Sequence, residues 1–127
     1  MRTIVVLLAV LLLTQGCSDQ PGGSADCTAR IRSGEIVYTS YDTTRQPATE
    51  HGTAEEAECH DVGADADGSV FTDDAPTVTT WAFEGYSTDE VLAVRQGQHQ
   101  YAVYIATSVS DAERDQILAA LRDRHGG

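Results

Sequence analysis

The chain changes its hydrophobic rhythm once, near residue 17. Ile4 to Leu13 is an unbroken run of ten apolar residues, whereas from Cys27 onward apolar positions come in short alternating stretches. Alternation with period two marks half-buried strands, and a period of 3.6 marks a helix. In CTARIRSGEIVYTSYDTT, Ala29 and Ile31 are followed by Ile36 and Tyr38, with Ser33-Gly34 between them, so a hairpin is expected. Thr44–Gly52 is expected to be a loop, interrupted by Pro47. TAEEAECHDV reads either way, because its alanines and glutamates favour helix while the piece is short enough to pair as a strand through Cys59. Gly63–Pro76 is acidic and rich in turn residues and reads as an exposed loop. TVTTWAFEGY sets Trp81 and Phe83 on one face, and Val78, Thr80 and Ala82 on the other. STDEVLAVR reads as a helical turn feeding a strand, QGQ as a turn, and HQYAVYIATS as a strand with Tyr101, Val103 and Ile105 facing one way. SDAERDQILAALRDRHGG reads as a helix. Ser110 and Glu113 form a capping box, Ile117, Leu118 and Leu121 an apolar stripe, and Arg122, Arg124 and His125 the cationic end before Gly126. The expected domain is α+β, spanning 27–127: a small antiparallel sheet of about five strands with one C-terminal helix packed on it.

The first residues add a compartment. Ten apolar residues are too few to span a bilayer, which takes about 20, and they suit the apolar region of an export signal. Arg2 supplies the positive start. LLLTQGC, ending at Cys17, resembles the lipobox of bacterial lipoproteins. The resemblance implies a signal peptide at 1–16 and a diacylglycerol on the Cys17 sulfur. It departs from the commonest form at Thr14, where that family usually has Leu, and at Gln15. The alternative is an ordinary export signal, cut near Gly16 or beyond, with Cys17 a plain thiol. SDQPGGSAD, after Cys17, reads as a polar tether over 17–26.

Three cysteines in an exported chain leave an odd thiol. If Cys17 carries the lipid, as the resemblance implies, Cys27 and Cys59 remain for a disulfide in an oxidising compartment. The alternative for these thiols is zinc. Cys59 and His60 are adjacent, and adjacent strand residues point to opposite faces, which suits a shared ion poorly.

Charge narrows the partners. The chain carries a net charge of −12, and loss of residues 1–16 removes Arg2 and makes the mature part still more acidic. Such a surface repels nucleic acid and anionic lipid headgroups. Neither lysine nor asparagine occurs. Their absence excludes a Walker phosphate loop, a Schiff-base lysine and an S-x-x-K nucleophile.

A broader resemblance follows from the order of QGC, a hairpin after a cysteine, ECHDVG, TWAFEGYSTDEVLAV, YAVYIA and a terminal helix. The order is similar to that of small lipoproteins of high-GC Gram-positive bacteria (actinobacteria), and implies a lineage without an activity.

Three sets of residues are candidates for chemistry. With Gly68 at the sixth place of an EF-hand loop, Asp65, Asp67 and Asp74 fall on the third, fifth and twelfth. Gly63 stands at the first place where an aspartate is wanted, so a solvated acidic loop is the simpler reading. The histidines His51, His60, His99 and His125 are scattered, and no G-x-S-x-G or H-E-x-x-H occurs. Trp81, Phe83, Tyr86, Tyr101 and Tyr104 serve either the core or a ligand-stacking face, and the second reading gains if Tyr86 and Tyr104 lie exposed and adjacent. The expectation is a monomeric, membrane-anchored extracytoplasmic lipoprotein without a cofactor, binding a surface protein or ligand rather than acting as an enzyme. A Ca²⁺-binding surface module and a small secreted hydrolase are the alternatives.

Overall fold

The computed structural model describes residues 27–60 and 68–123. The signal, the tether, Cys17, Asp65, Asp67 and His125 lie outside the described residues.

Six antiparallel strands close into a barrel, and the expected five-stranded sheet is corrected to that. The strands are β1 (Arg30–Ser33), β2 (Ile36–Thr44), β3 (Thr49–Glu56), β6 (Thr77–Ala82), β7 (Val91–Gly97) and β8 (Gln100–Ala106). Their order round the barrel is β1-β2-β8-β7-β6-β3, and β3 returns to β1 through Ile31 opposite Glu56. Two further short strands, β4 (Glu58–His60) and β5 (Gly68–Val70), form a separate hairpin, and helix α1 spans Asp111–Asp123.

The extra strand comes from the ambiguous stretch. In Gly52-Thr53-Ala54-Glu55, the small residues Gly52 and Ala54 pair with Thr80 and Val78 on the inner side, while Thr53 and Glu55 point out. That is period two, and pairing with β6 and β1 overrides the helical leaning of Ala and Glu. The expected loop over Thr44–Gly52 therefore shrinks to Arg45–Ala48. Within the acidic stretch, Gly68–Val70 is strand rather than loop. The β1–β2 hairpin turns at Gly34-Glu35, between the paired Ser33 and Ile36, and Gly34 adopts a φ of 64° that a side chain would resist.

Closure splits the core into two layers. Ile31, Tyr38, Ala54, Leu92, Ala102, Tyr104 and Ala106 fill the barrel interior. Their neighbours in register, Val91, Ala93, Tyr101, Val103 and Ile105, face outward and are covered with Phe83 by Ile117 and Leu121 of α1. β8 thus buries both faces: every residue from Tyr101 to Ala106 is buried. Trp81 and Phe83 pack against Tyr101 in the outer layer, with ring centroids 5.6 and 6.2 Å apart.

The helix is fixed at both ends. Ser110 Oγ accepts the Glu113 amide at 3.2 Å, the N-cap half of the expected box. At the other end Thr44 Oγ1 donates to the buried Leu121 carbonyl at 3.1 Å. One flank of α1 leans on β2, where Arg122 pairs with Asp42 at 2.8 Å and the Arg114 guanidinium lies 5.1 Å from the Tyr41 ring. Tyr41 is the extra residue of a bulge in β2, which turns its ring outward to meet Arg114.

Candidate binding groove

The other flank of α1 is open. Two clefts follow it, separated by Tyr86, which lines both. The larger, about 690 Å³, lies between the β2–β3 loop (Gln46, Pro47, Ala48), the end of β6 and Leu121. The smaller, about 320 Å³, lies between the β6–β7 loop and the helix residues Glu113, Gln116, Ile117 and Ala120. The sequence order explains the shared wall. Phe83 directly follows β6, Gly85 (φ 92°) reverses the chain, and Tyr86 donates its amide to the Phe83 carbonyl at 3.3 Å. The Ser87–Glu90 turn follows, with the Glu90 and Val91 amides donating to the Ser87 carbonyl. Tyr38 holds this turn from inside the barrel: its hydroxyl donates to the Thr88 carbonyl at 2.6 Å.

Phe83 and Leu121 in the larger cleft and Ile117 in the smaller are core side chains that expose almost none of their surface, so polar and apolar groups line the clefts about equally. The rims carry Glu84, Glu90 and Glu113. No basic side chain lines either cleft among the described residues. The ion pairs of the described residues are Arg32–Glu55, His60–Glu58, Arg114 with Asp111 and Asp115, and Arg122–Asp42, and none reaches a rim glutamate.

The disulfide joins Cys27 to Cys59, with Cα atoms 5.5 Å apart, as expected from the cysteine count. It fastens the β4–β5 hairpin to the start of the domain, and Ser69 Oγ adds a hydrogen bond to the Thr28 carbonyl. With Cys27 and Cys59 bonded to each other, neither thiol is left to ligate zinc. Asp74 is exposed in the turn between β5 and β6, while Asp65 and Asp67 lie outside the described residues. β4 precedes the acidic stretch, β5 lies within it and β6 follows it, strands rather than the two helices of an EF-hand. Among the described residues, no group of three His, Cys, Asp or Glu side chains is placed to hold a metal ion. His51, His60 and His99 are exposed, and among the described residues His60 meets Glu58, at 3.2 Å.

Tyr86 and Tyr104 are not adjacent partners on one surface. Tyr104 is buried in the barrel, and Tyr86 packs against the outer layer under α1. The Tyr104 hydroxyl titrates above its ordinary value, chiefly through burial, with the Glu56 charge adding and a hydrogen bond with Ser40 opposing. Tyr38 is raised in the same way by burial and by Asp89. The groove itself was missed by sequence reasoning. Its walls come from three separated segments, whose signals in the chain (Pro47, Phe83, Tyr86 and the Ile117/Leu121 stripe) pointed to local structure and not to a shared cleft.

The profile of the family described as "Family of unknown function (DUF6281)" matches residues 14–123. The chain belongs to the DUF6281 family. The DUF6281 match takes in Cys17, both bridging cysteines, every barrel strand and all the residues that line the two clefts. No curated protein and no solved structure matches the chain. The fold of this chain is a six-stranded antiparallel barrel with one C-terminal helix.

Proposed function

We propose that this protein is a lipid-anchored, extracytoplasmic binding module of a Gram-positive bacterium, held to the membrane through Cys17, and that it works by binding rather than by catalysis. The observation that carries the reading is the Cys27–Cys59 bridge. It uses two of the three cysteines, and a disulfide is at home in an oxidising compartment outside the cytoplasm. The remaining cysteine, Cys17, follows the ten-residue apolar run, where a lipobox would put it.

The placing of the bridge supports an anchor at one end. The chain enters the domain at Cys27, beside the Glu56 end of β3, where Ala57 donates its amide to the Arg30 carbonyl. The larger cleft opens at the Thr49 end of the same strand. At roughly 3.3 Å per residue, an eight-residue strand separates the two by about 23 Å. A tether at Cys27 would thus leave the cleft turned away from the membrane.

Expression of the full chain in a Gram-positive host tests the reading. Wild type is expected in the membrane fraction and Cys17→Ser in the medium, with the same melting temperature. Equal partition of the two would overturn the anchor.

A further inference from the structure

The barrel wall is paired unevenly. β3 pairs β6 from Thr77 to Ala82, and β8 pairs β7 from Val91 to Gly97. Between β6 and β7, the pair formed among the described residues is Trp81 opposite Ala93. Continued antiparallel, this seam would set Thr79 opposite Arg95 and Thr77 opposite Gly97, and neither pair forms. Gln96 is the extra residue of a bulge in β7, and a bulge bends its strand.

Two bonds at the strand ends fix which way the backbone groups point. Glu56 donates its amide to the Pro76 carbonyl, so Val78 and Thr80 turn their N–H and C=O groups to β3, and Thr77, Thr79 and Trp81 turn theirs to β7. Ala106 donates to the Glu90 carbonyl, so Leu92 and Val94 face β8, and Ala93 and Arg95 face β6. Trp81 and Ala93 satisfy each other. The N–H and C=O groups of Thr77, Thr79 and Arg95 are left at the seam without a backbone partner among the described residues. All three residues are exposed. Arg95 is turned back on its own hairpin, where Nε donates to the Gly97 carbonyl at 3.0 Å and Nη2 to the Gln98 carbonyl at 3.4 Å. Thr77–Thr80 carries neither the charges nor the proline that commonly guard such an edge. Val78 and Val94, on the inner face of the same stretch, are only partly buried.

We propose that the free edge of β6 at Thr77–Thr79 binds an extended segment of a partner protein, which joins the barrel wall as an antiparallel strand. An extended chain offers N–H and C=O groups at the two-residue repeat that Thr77 and Thr79 present. Partner residues opposite Thr77 and Thr79 point outward beside two threonines and suit small uncharged side chains such as threonine. The residue between them points inward beside Val78 and suits valine or isoleucine. Main-chain bonds hold the segment, and its alternation selects it. The inference deepens the reading of the chain as a binding module and stands apart from its anchor.

The test uses full-length protein purified from the expressing host and the fluorescent peptide Val-Thr-Val-Thr-Val, whose threonines match Thr77 and Thr79. Hydrogen exchange read by NMR should find the Thr77 and Thr79 amides fast in the free protein. Saturating peptide should slow them at least about tenfold and leave the Val78 and Thr80 amides, bonded to β3, unchanged. In fluorescence anisotropy, a peptide methylated on both threonine nitrogens should not bind. Methylation of the central valine nitrogen, which points away from β6, should change affinity less than about threefold. Thr79→Pro removes an N–H that β3 does not use and, checked by melting temperature, should weaken binding about tenfold.

Slow exchange of the Thr77 and Thr79 amides in the free protein would mean that the edge is already covered, and would overturn the proposal. Equal losses from the two methylation patterns would overturn it too, as would no binding at millimolar peptide. None of these outcomes bears on where the protein fractionates, so failure of the edge and failure of the lipid anchor are told apart.

Discussion

The two ends of the β3–β6 ribbon are finished in opposite ways. At the Glu56 end, contacts close on one another. The bridge ties Cys27 to Cys59, Arg32 pairs with Glu55, and the same guanidinium sits 4.6 Å from the Phe71 ring. At the Thr49 end, the chain leaves a cleft of about 690 Å³ with Glu84 on its rim and Phe83 and Leu121 in its floor. The cleft lies outside the barrel, between its outer layer and α1, so its walls have to be held in place. Here three contacts do so: α1 buried through Ile117 and Leu121, Thr44 on the last turn of the helix, and Tyr38 on the Ser87–Glu90 turn. The closed end is covalent and charge-matched, and the open end is shaped by packing from behind.

The strongest way to break that contrast is to remove the packing. Leu121→Ala should cost about 2–5 kcal/mol, the usual range for a buried leucine. It should also release α1, so that hydrogen exchange accelerates in Asp111–Asp123 before it does in β1 and β2. Uniform acceleration would mean that helix and barrel form one unit.

Loss of the bridge attacks the opposite end. Cys27→Ser/Cys59→Ser should cost about 3–4 kcal/mol by the loop-closure argument. Hydrogen exchange in Asp111–Asp123, measured well below the melting temperature, should nevertheless stay as in the wild type, because neither cysteine lines a cleft. Faster exchange there would show that the two ends are coupled.

Smaller changes sharpen the picture. Tyr38→Phe removes the bond to the Thr88 carbonyl and should cost about 1 kcal/mol. It should loosen the Ser87–Glu90 turn, seen as faster exchange of the Glu90 and Val91 amides. Ser110→Ala removes the N-cap and should cost about 1 kcal/mol. Both are read from urea melts. Arg32→Gln, at a half-exposed ion pair, should cost at most about 1 kcal/mol.

Alkaline pH separates the barrel interior from the surface. Tyr38 and Tyr104 both titrate above their ordinary value, mainly because burial disfavours the phenolate. A raised value in the folded state means that the native chain keeps its proton where the unfolded chain has lost it. The stabilisation is therefore complete below about pH 10 and falls as pH rises through the shifted values. The melting temperature should decline above about pH 10, and Tyr104→Phe should flatten that decline. An unchanged slope would contradict the burial argument for Tyr104.

Several elements could be read directly from residue order. The β1–β2 hairpin, β6, β8 and α1 each carry a local signal: Gly34, the Trp81/Phe83 alternation, the run through Ile105, and Ser110 ahead of an apolar stripe. The bridge followed from cysteine arithmetic. What stayed hidden depended on closure. Gly52 and Ala54 look unlike core residues until Thr80 and Val78 stand opposite them inside a barrel, so β3 was obscured by its own small residues. Tyr104 was placed correctly on the face opposite Tyr101, yet its burial required a second wall that only β1, β2 and β3 provide. The groove was hidden for the same reason. Ala48, Phe83, Tyr86 and Leu121 are far apart in the chain and meet only because α1 returns over the outer face of β7 and β8.

The most direct test of the central claim, a lipid-anchored and disulfide-closed module, is the intact mass of protein from the membrane fraction, taken before and after reduction with thiol alkylation. The account predicts a chain beginning at Cys17 with a diacylglycerol-sized addition, and two thiols that alkylate only after reduction. A chain beginning elsewhere without lipid, or Cys27 and Cys59 alkylated before reduction, would contradict it.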